Sequence, residues 1–176
     1  MKKTAQAAVG PAARHALHHD PGTAVPRPGG RRIQVRRSGV HGKGVFALRP
    51  IAAGTTIIEY KGEVITWKEA LRRHPHDPSN PDHTFYFHID DKRVIDGTYQ
   101  GNAARWINHS CEPNCEADEV DGRVFVKALR DIAPGEELFF DYLLMLDGRH
   151  TPKVKKQFAC FCGSPRCRGT MLAPKR

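Results

Sequence analysis

Cys111, Cys115, Cys160, Cys162 and Cys167, all in the second half of the chain, offer the clearest chemistry in the sequence. The last three make a C-x-C-x4-C cluster. Zinc takes four soft ligands in a tetrahedron, and three thiolates this close along a chain can share one ion if a fourth arrives from elsewhere. Cys111 or Cys115 is the expected fourth ligand, and spacing does not choose between them. Arg166 and Arg168 flank Cys167 and would offset the negative charge of a four-thiolate site. The plainer alternative is a set of reduced, unligated thiols. An odd cysteine count, with no apolar stretch after Lys2-Lys3 to mark secretion, speaks against a disulfide framework. Asn108-His109 is the second polar knot, and taken alone it need do no more than cap local turns.

These side chains need a scaffold, and the texture of the chain predicts a mostly β one. Short β-branched or aromatic runs read as strands at 33–35, 45–47, 56–60, 85–89, 94–95, 124–129 and 138–142. Asp121-Gly122, between 116–120 and 123–129, is a hairpin signal. Ala53-Gly54 and Pro134-Gly135 read as turns. Thr66 and Glu69 form a capping-box pattern that starts a helix, which should stop before Pro75. Residues 74–83, with three prolines, read as a loop.

Charge is distributed unevenly. The 176 residues carry 28 Lys+Arg against 19 Asp+Glu, a net of +9 that by itself suggests nucleic acid as a partner. Residues 1–32 hold +5 and 149–176 hold +8, whereas 33–148 stand at -4. A mildly acidic body with two basic ends is better suited to accepting a basic substrate. Asp90, Asp91, Asp96 and the acids between Glu112 and Asp121 are the expected source of steering, with a solvated acidic face as the plain alternative. No run approaches the roughly 20 apolar residues of a spanning helix. The expected organisation is a disordered basic tail over 1–30, a main domain over 31–147, a zinc-binding segment over 148–172 and a short tail over 173–176. The leader, poor in acids and containing arginine, is only weakly like a transit peptide.

The stretch Arg105-Trp106-Ile107-Asn108-His109-Ser110-Cys111 resembles the signature of SET-domain protein lysine methyltransferases. Three further segments agree in order: His41-Gly42-Lys43-Gly44-Val45-Phe46, Gly135-Glu136-Glu137-Leu138-Phe139-Phe140-Asp141-Tyr142, and the C-terminal cysteine cluster, which resembles the family's post-SET segment. Gly101–Arg105 and Cys111–Cys115 are most similar to the trithorax/mixed-lineage-leukaemia type. The resemblance covers about residues 31–172. It implies a fold of several small curved sheets with a pseudoknot-like threading, short helices and a terminal zinc segment.

Residue roles follow from the resemblance. It implies S-adenosylmethionine contacts from His41, Lys43, Gly44, Asn108 and His109, with Phe161 closing over the cofactor and Arg105 in support. Phe85 stands where relatives often have a cofactor-side tyrosine. The resemblance also implies Cys111, Cys160, Cys162 and Cys167 as the zinc ligands, with Cys115 left as a buried thiol. Tyr142 is implied as the central catalytic tyrosine, Tyr60 as a second channel tyrosine, and Phe140 as the residue that sets methylation state, favouring di- or trimethyl product. Asp141 is expected to fix local structure.

A lysine amine must be neutral to attack, and at pKa about 10.4 roughly one in a thousand is neutral near pH 7.4. An apolar channel lowers that pKa, and aromatic walls suit both the aliphatic stem and a methylammonium. Tyr60, Phe85, Phe87, Phe140 and Tyr142 are the expected walls. The expected substrate is a basic protein, a histone tail first and a non-histone DNA-binding or ribosomal protein next. A catalytically silent zinc-stabilised module binding nucleic acid through its basic termini is the reading from a different class. The compactness suits a bacterial member, cytoplasmic if it serves its own cell, or at host chromatin if secreted.

Overall fold

The computed structural model describes residues 30–74, 84–146 and 148–174. The expected tail over 1–29 and the loop over 75–83 lie outside the described residues. Ile33 and Val35 alternate with polar neighbours, and that period of two lays β1 (Ile33–Arg37) antiparallel to β2 (Lys43–Ala47), with Val35 opposite Val45. A second sheet has three strands, β3 (Thr56–Tyr60), β8 (Cys115–Val120) and β9 (Arg123–Ala128), with β9 in the middle. The β8–β9 hairpin turns through Asp121 and Gly122 at φ 51° and 78°, the positive pair a two-residue type I′ turn requires. A third sheet orders β4 (Glu63–Thr66), β6 (Arg93–Asp96) and β5 (Tyr86–His88), with β6 central. The last is a two-residue parallel pair, β7 (Asn108–His109) beside β10 (Phe139–Phe140). The architecture is therefore mostly β, in several small sheets with few helices.

Helix α1 (Trp67–Arg73) starts where expected, with the Thr66 hydroxyl accepting from the Glu69 N–H at 3.2 Å. Only half of the capping box forms. The Glu69 carboxylate turns to Arg72 and Arg73 at 2.6–2.8 Å, because two guanidiniums offer it charge-assisted bonds. Arg73 also reaches Glu63 and the fully buried Asp96, tying the helix to β4 and β6. Among the described residues no helix is long and apolar enough to cross a membrane.

Four elements escaped the sequence reading, the two-residue β7 among them. β4 was too short and amphiphilic to stand out. The 3-10 turn Ala103–Trp106 is capped by Asn102, which accepts from the Ala104 N–H at 3.2 Å and donates to the Glu59 carbonyl at 2.8 Å. Helix α2 (Pro152–Gln157) is announced by Thr151-Pro152, a cap followed by proline in the first turn.

The principal core gathers Val45, Ile51, Tyr60, Phe87, Ile107, Val124, Val126, Leu138 and Phe140, so the strand faces and the β7–β10 pair share one interior. A small cluster of Ile65, Ala70, Tyr86 and Val94 seats α1. Leu144, Phe158 and Leu172 form a third that anchors the C-terminal segment.

The bend between β6 and the 3-10 turn depends on a close backbone approach. A Cβ on Gly101 would lie 2.0 Å from the Gly97 carbonyl oxygen, and Arg105 already bonds that oxygen at 3.0 Å. Gly101→Ala should therefore cost about 1–3 kcal/mol, as overpacking typically does. A lowered denaturant midpoint at unchanged slope is the expected reading, and an unchanged midpoint would contradict the packing described.

Candidate active site

The Ser38–Gly42 connection between β1 and β2 would be an ordinary loop but for its anchors. The Ser38 hydroxyl accepts from the Val40 and His41 N–H groups at 3.0 and 3.4 Å and donates to Glu137 at 3.0 Å. Asn108, nearly buried at the start of β7, shares its amide hydrogens among the carbonyls of His41 and Lys43 and the Glu137 carboxylate, at 2.9–3.2 Å. Gly44 must lack a side chain, since a Cβ there would sit 2.1 Å from Glu137 Oε1. Glu137 and Asn108 thus hold the loop along one wall of a cavity of about 520 Å³.

His41, Lys43, Tyr60, Phe85, Arg105, Trp106, Asn108, His109, Phe140, Tyr142, Cys160 and Phe161 all line that cavity. Trp106 is its most heavily charged wall: Lys43 Nζ lies 4.6 Å and Arg105 Cζ 4.8 Å from the ring centroid, and Phe85 meets it edge-on at 4.9 Å. Phe161 is 78% exposed at the rim.

His109 is buried beside Tyr142, their rings 5.3 Å apart. Its Nδ1 accepts the Tyr142 backbone N–H at 3.1 Å, so the neutral ring carries its proton on Nε2, which points at Cys111 Sγ 3.4 Å away. Burial pushes this imidazole down to about 4, against the pull of Asp141 at 3.5 Å. The ring is therefore neutral at neutral pH.

Both tyrosine hydroxyls are held by the main chain. Tyr142 donates to the Ile107 carbonyl at 2.8 Å and Tyr60 to the Phe85 carbonyl at 3.0 Å. Burial raises both phenols above the ordinary range, with the neighbouring Tyr142 adding to the rise at Tyr60. Phe140 packs 5.1 Å from the Tyr142 ring and 6.2 Å from Phe87. Phe87, expected above as a wall, does not line the cavity; it is fully buried behind Tyr60 and Phe140, where it supports them.

The four cysteines implied as ligands converge: the sulfurs of Cys111, Cys160, Cys162 and Cys167 lie within 4.8 Å of one another. Backbone N–H groups of Cys162, Arg168 and Gly169 point at three of these sulfurs at 3.4 Å, an arrangement that favours thiolates. Cys115 stays apart, fully buried in β8, where burial pushes its thiol up to about 12. Arg166 and Arg168 do not act as free counter-charges. Arg166 bonds Glu112 at 2.6 Å, and Arg168 forks onto Asp141 at 2.6 and 2.8 Å.

The expected acidic field is also largely spent. Asp96 is wholly buried on Arg73, Asp90 pairs with Arg93, Asp118 with Lys127, and Glu119 accepts the Gly122 N–H. Glu137, Trp106 and the Ile107 carbonyl are the site groups that the sequence reading passed over. Glu137 and Trp106 stand inside quoted motifs, but nothing in their spacing says they face a loop and a cavity.

The SET domain family model matches residues 42–143. The chain is 41% identical over 140 residues to "Histone-lysine N-methyltransferase trithorax" of Drosophila virilis, covering 77% of this chain and 4% of that protein. It is 44% identical over 142 residues to "Histone-lysine N-methyltransferase, H3 lysine-4 specific" of Kluyveromyces lactis, covering 78% and 14%. It is 40% identical over 140 residues to "Histone-lysine N-methyltransferase 2B" of Homo sapiens, covering 77% and 5%. The chain thus spans a small part of the length of each.

Desolvation disfavours a phenolate, so Tyr60, Tyr86 and Tyr142, all raised by burial, should not ionise through the ordinary phenol midpoint near pH 10. In a Tyr99→Phe variant, absorbance at 295 nm should stay flat to that pH. A phenolate signal from the folded variant below it would show that the site is wetter than described.

Proposed function

The chain belongs to the SET-domain family, and on that premise we propose that it is a protein-lysine N-methyltransferase using S-adenosylmethionine. The proposed substrate is a lysine side chain in a basic protein, a histone tail foremost, which makes chromatin the place of action. What carries the proposal is the convergence, on one cavity, of two main-chain-anchored tyrosine hydroxyls and the loop gripped by Asn108. At about 520 Å³ the cavity is in the ordinary range for a cofactor-sized ligand, and its mix of aromatic faces, cations and buried amides suits a zwitterionic nucleoside. His41, Lys43, Gly44, Phe85, Asn108, His109 and Phe161 are assigned to hold it. When bound, it supplies a methyl group on a sulfonium, already an electrophile.

The work left to the chain is orientation. Tyr142 and Tyr60 each commit their proton to a carbonyl, so their oxygens present lone pairs towards the channel. Those lone pairs can accept an amine N–H and so direct the nitrogen's own lone pair along the line of attack. Neither tyrosine serves as a base, because burial holds both neutral. The substrate ammonium loses its proton to water, helped by an apolar wall that disfavours its charge. Phe140, 2% exposed, leaves the space beside Tyr142 without a hydroxyl, which favours accommodation of one or two methyl groups already on the amine.

Cys111, Cys160, Cys162 and Cys167 are assigned to one structural zinc. A tetrahedral site with Zn–S of 2.3 Å has sulfur–sulfur edges of about 3.8 Å. The sulfurs of Cys111 and Cys160 are 3.7 Å apart and those of Cys111 and Cys167 are 4.0 Å apart.

Two measurements test these assignments. With methyl-labelled S-adenosylmethionine and core histones, Tyr142→Phe should lose about 10²-fold or more in kcat, the scale of a lost orienting contact. Phe140→Tyr should shift exhaustive product from di- or trimethyl towards monomethyl by mass spectrometry. Monomethyl product alone from both the parent and Phe140→Tyr would refute the role given to Phe140. Elemental analysis should find about one zinc per chain in the parent and in Cys115→Ala, and little in Cys111→Ser. Full zinc in Cys111→Ser would reject the ligand set.

A further inference from the structure

We propose that the exposed face around α2 is a docking surface for the phosphate backbone of duplex nucleic acid, a function beyond methyl transfer. The contrast between the two parts of the molecule points to it. In the body, half of the cations are consumed internally, among them Arg73 by Glu63, Glu69 and Asp96, Arg93 by Asp90, Arg123 by Glu59, Lys127 by Asp118 and Arg130 by Glu136. Exposed ones without a carboxylate partner among the described residues, such as Arg37, Lys68 and Lys92, sit on separate segments. Arg149, Lys153, Lys155 and Lys156 are exposed and, among the described residues, have no carboxylate partner. No acid occurs anywhere in residues 148–174.

These four charges stand on a fixed support. Thr151 caps α2 by accepting the Val154 N–H at 3.3 Å, and Val154 packs into the cluster of Leu144, Phe158 and Leu172. Arg149 and Lys155 stand at an open cleft of about 630 Å³ with His150, Thr151 and Thr170, over a floor that includes Pro152, Leu172 and Pro174.

Phosphate backbone fits this face better than an acidic protein does. A protein partner is normally held by apolar or aromatic anchors, and α2 turns its one branched apolar side chain inward. Single strands need aromatic platforms, and the exposed ring of the segment, Phe161, lies at the mouth of the other cavity. What remains is a row of unpaired point charges, which neutralises phosphates without reading bases. Gln157, Phe158 and Ala159, directly after these lysines, line the proposed methyl-transfer cavity, so duplex held here sits beside it.

Fluorescence anisotropy of the full zinc-loaded chain with a labelled 20-bp mixed duplex, between 50 and 300 mM KCl, tests the proposal. Each neutralised phosphate contributes about -0.9 to the slope of log K against log[salt]. Arg149→Ala/Lys153→Ala/Lys155→Ala/Lys156→Ala should therefore flatten the slope by about 3 to 4 relative to the parent, with at least tenfold weaker binding at 100 mM salt. Lys155→Ala alone should flatten it by about 1. The basic leader contributes equally to each protein and cancels in the difference. A fourfold variant that keeps the parent slope and affinity overturns the proposal. So does a parent that binds poly-glutamate but not the duplex, which would mark an acidic-protein surface instead.

Discussion

The two-residue parallel contact of β7 with β10 is the constraint on which the rest of the site depends. It sets Asn108 beside Phe139 and His109 beside Phe140, joining segments about thirty residues apart. So short a ladder cannot hold itself, and buried polar groups complete it. Asn114, 2% exposed, accepts the Phe139 N–H at 2.8 Å and donates to the Glu137 carbonyl and Glu136 carboxylate. Ser110 donates to the Phe140 carbonyl at 3.3 Å, and Tyr142 to that of Ile107. Each of these groups would cost more unpaired than it gains paired, so the network forms as a unit.

From that pair, consecutive residues take separate tasks. Asn108 grips the loop of His41 and Lys43, His109 receives the Tyr142 backbone, and Cys111 enters the sulfur cluster. The fork of Arg168 on Asp141 closes the circuit from the other side, immediately before Tyr142. Seating the C-terminal segment and orienting the Tyr142 hydroxyl are therefore one structural event. The metal assigned to these thiolates would act on the channel by holding a strand in register rather than by touching the reacting atoms.

The elements legible in the sequence were those with local patterns: β1, β2, β3, β5, β6, β10, the β8–β9 hairpin and the capped start of α1. β7 was not, because Asn108 and His109 have no strand propensity and owe their conformation to a partner far along the chain. The site divides in the same way. Motif residues identified Tyr142, Asn108, His109 and the cysteines, since their chemistry lies in residue type. Glu137 and the carbonyls of Ile107 and Phe85 were invisible, since their roles lie in where the fold puts an oxygen. Phe87 was misplaced for a related reason: its type marks an aromatic strand residue, but only the fold sets it opposite Ile95 in β5 and behind the rings of Tyr60 and Phe140.

Charge shows the same limit of sequence arithmetic. The body's excess of acids suggested a field that draws in a basic peptide, yet four of the eight acids expected to steer already face a cation of their own. Asp91, Glu116 and Asp121 alone, of the acids expected to steer, make no side-chain ion pair or hydrogen bond among the described residues. For the proposed basic substrate, fit would therefore weigh more than long-range attraction. In the proposed channel, the aromatic faces would pack an aliphatic stem and the anchored hydroxyls would accept an amine N–H. The C-terminal cations repel a positively charged tail at close range. Duplex held at the proposed α2 docking surface would neutralise that repulsion and let a basic tail approach the cavity beside it.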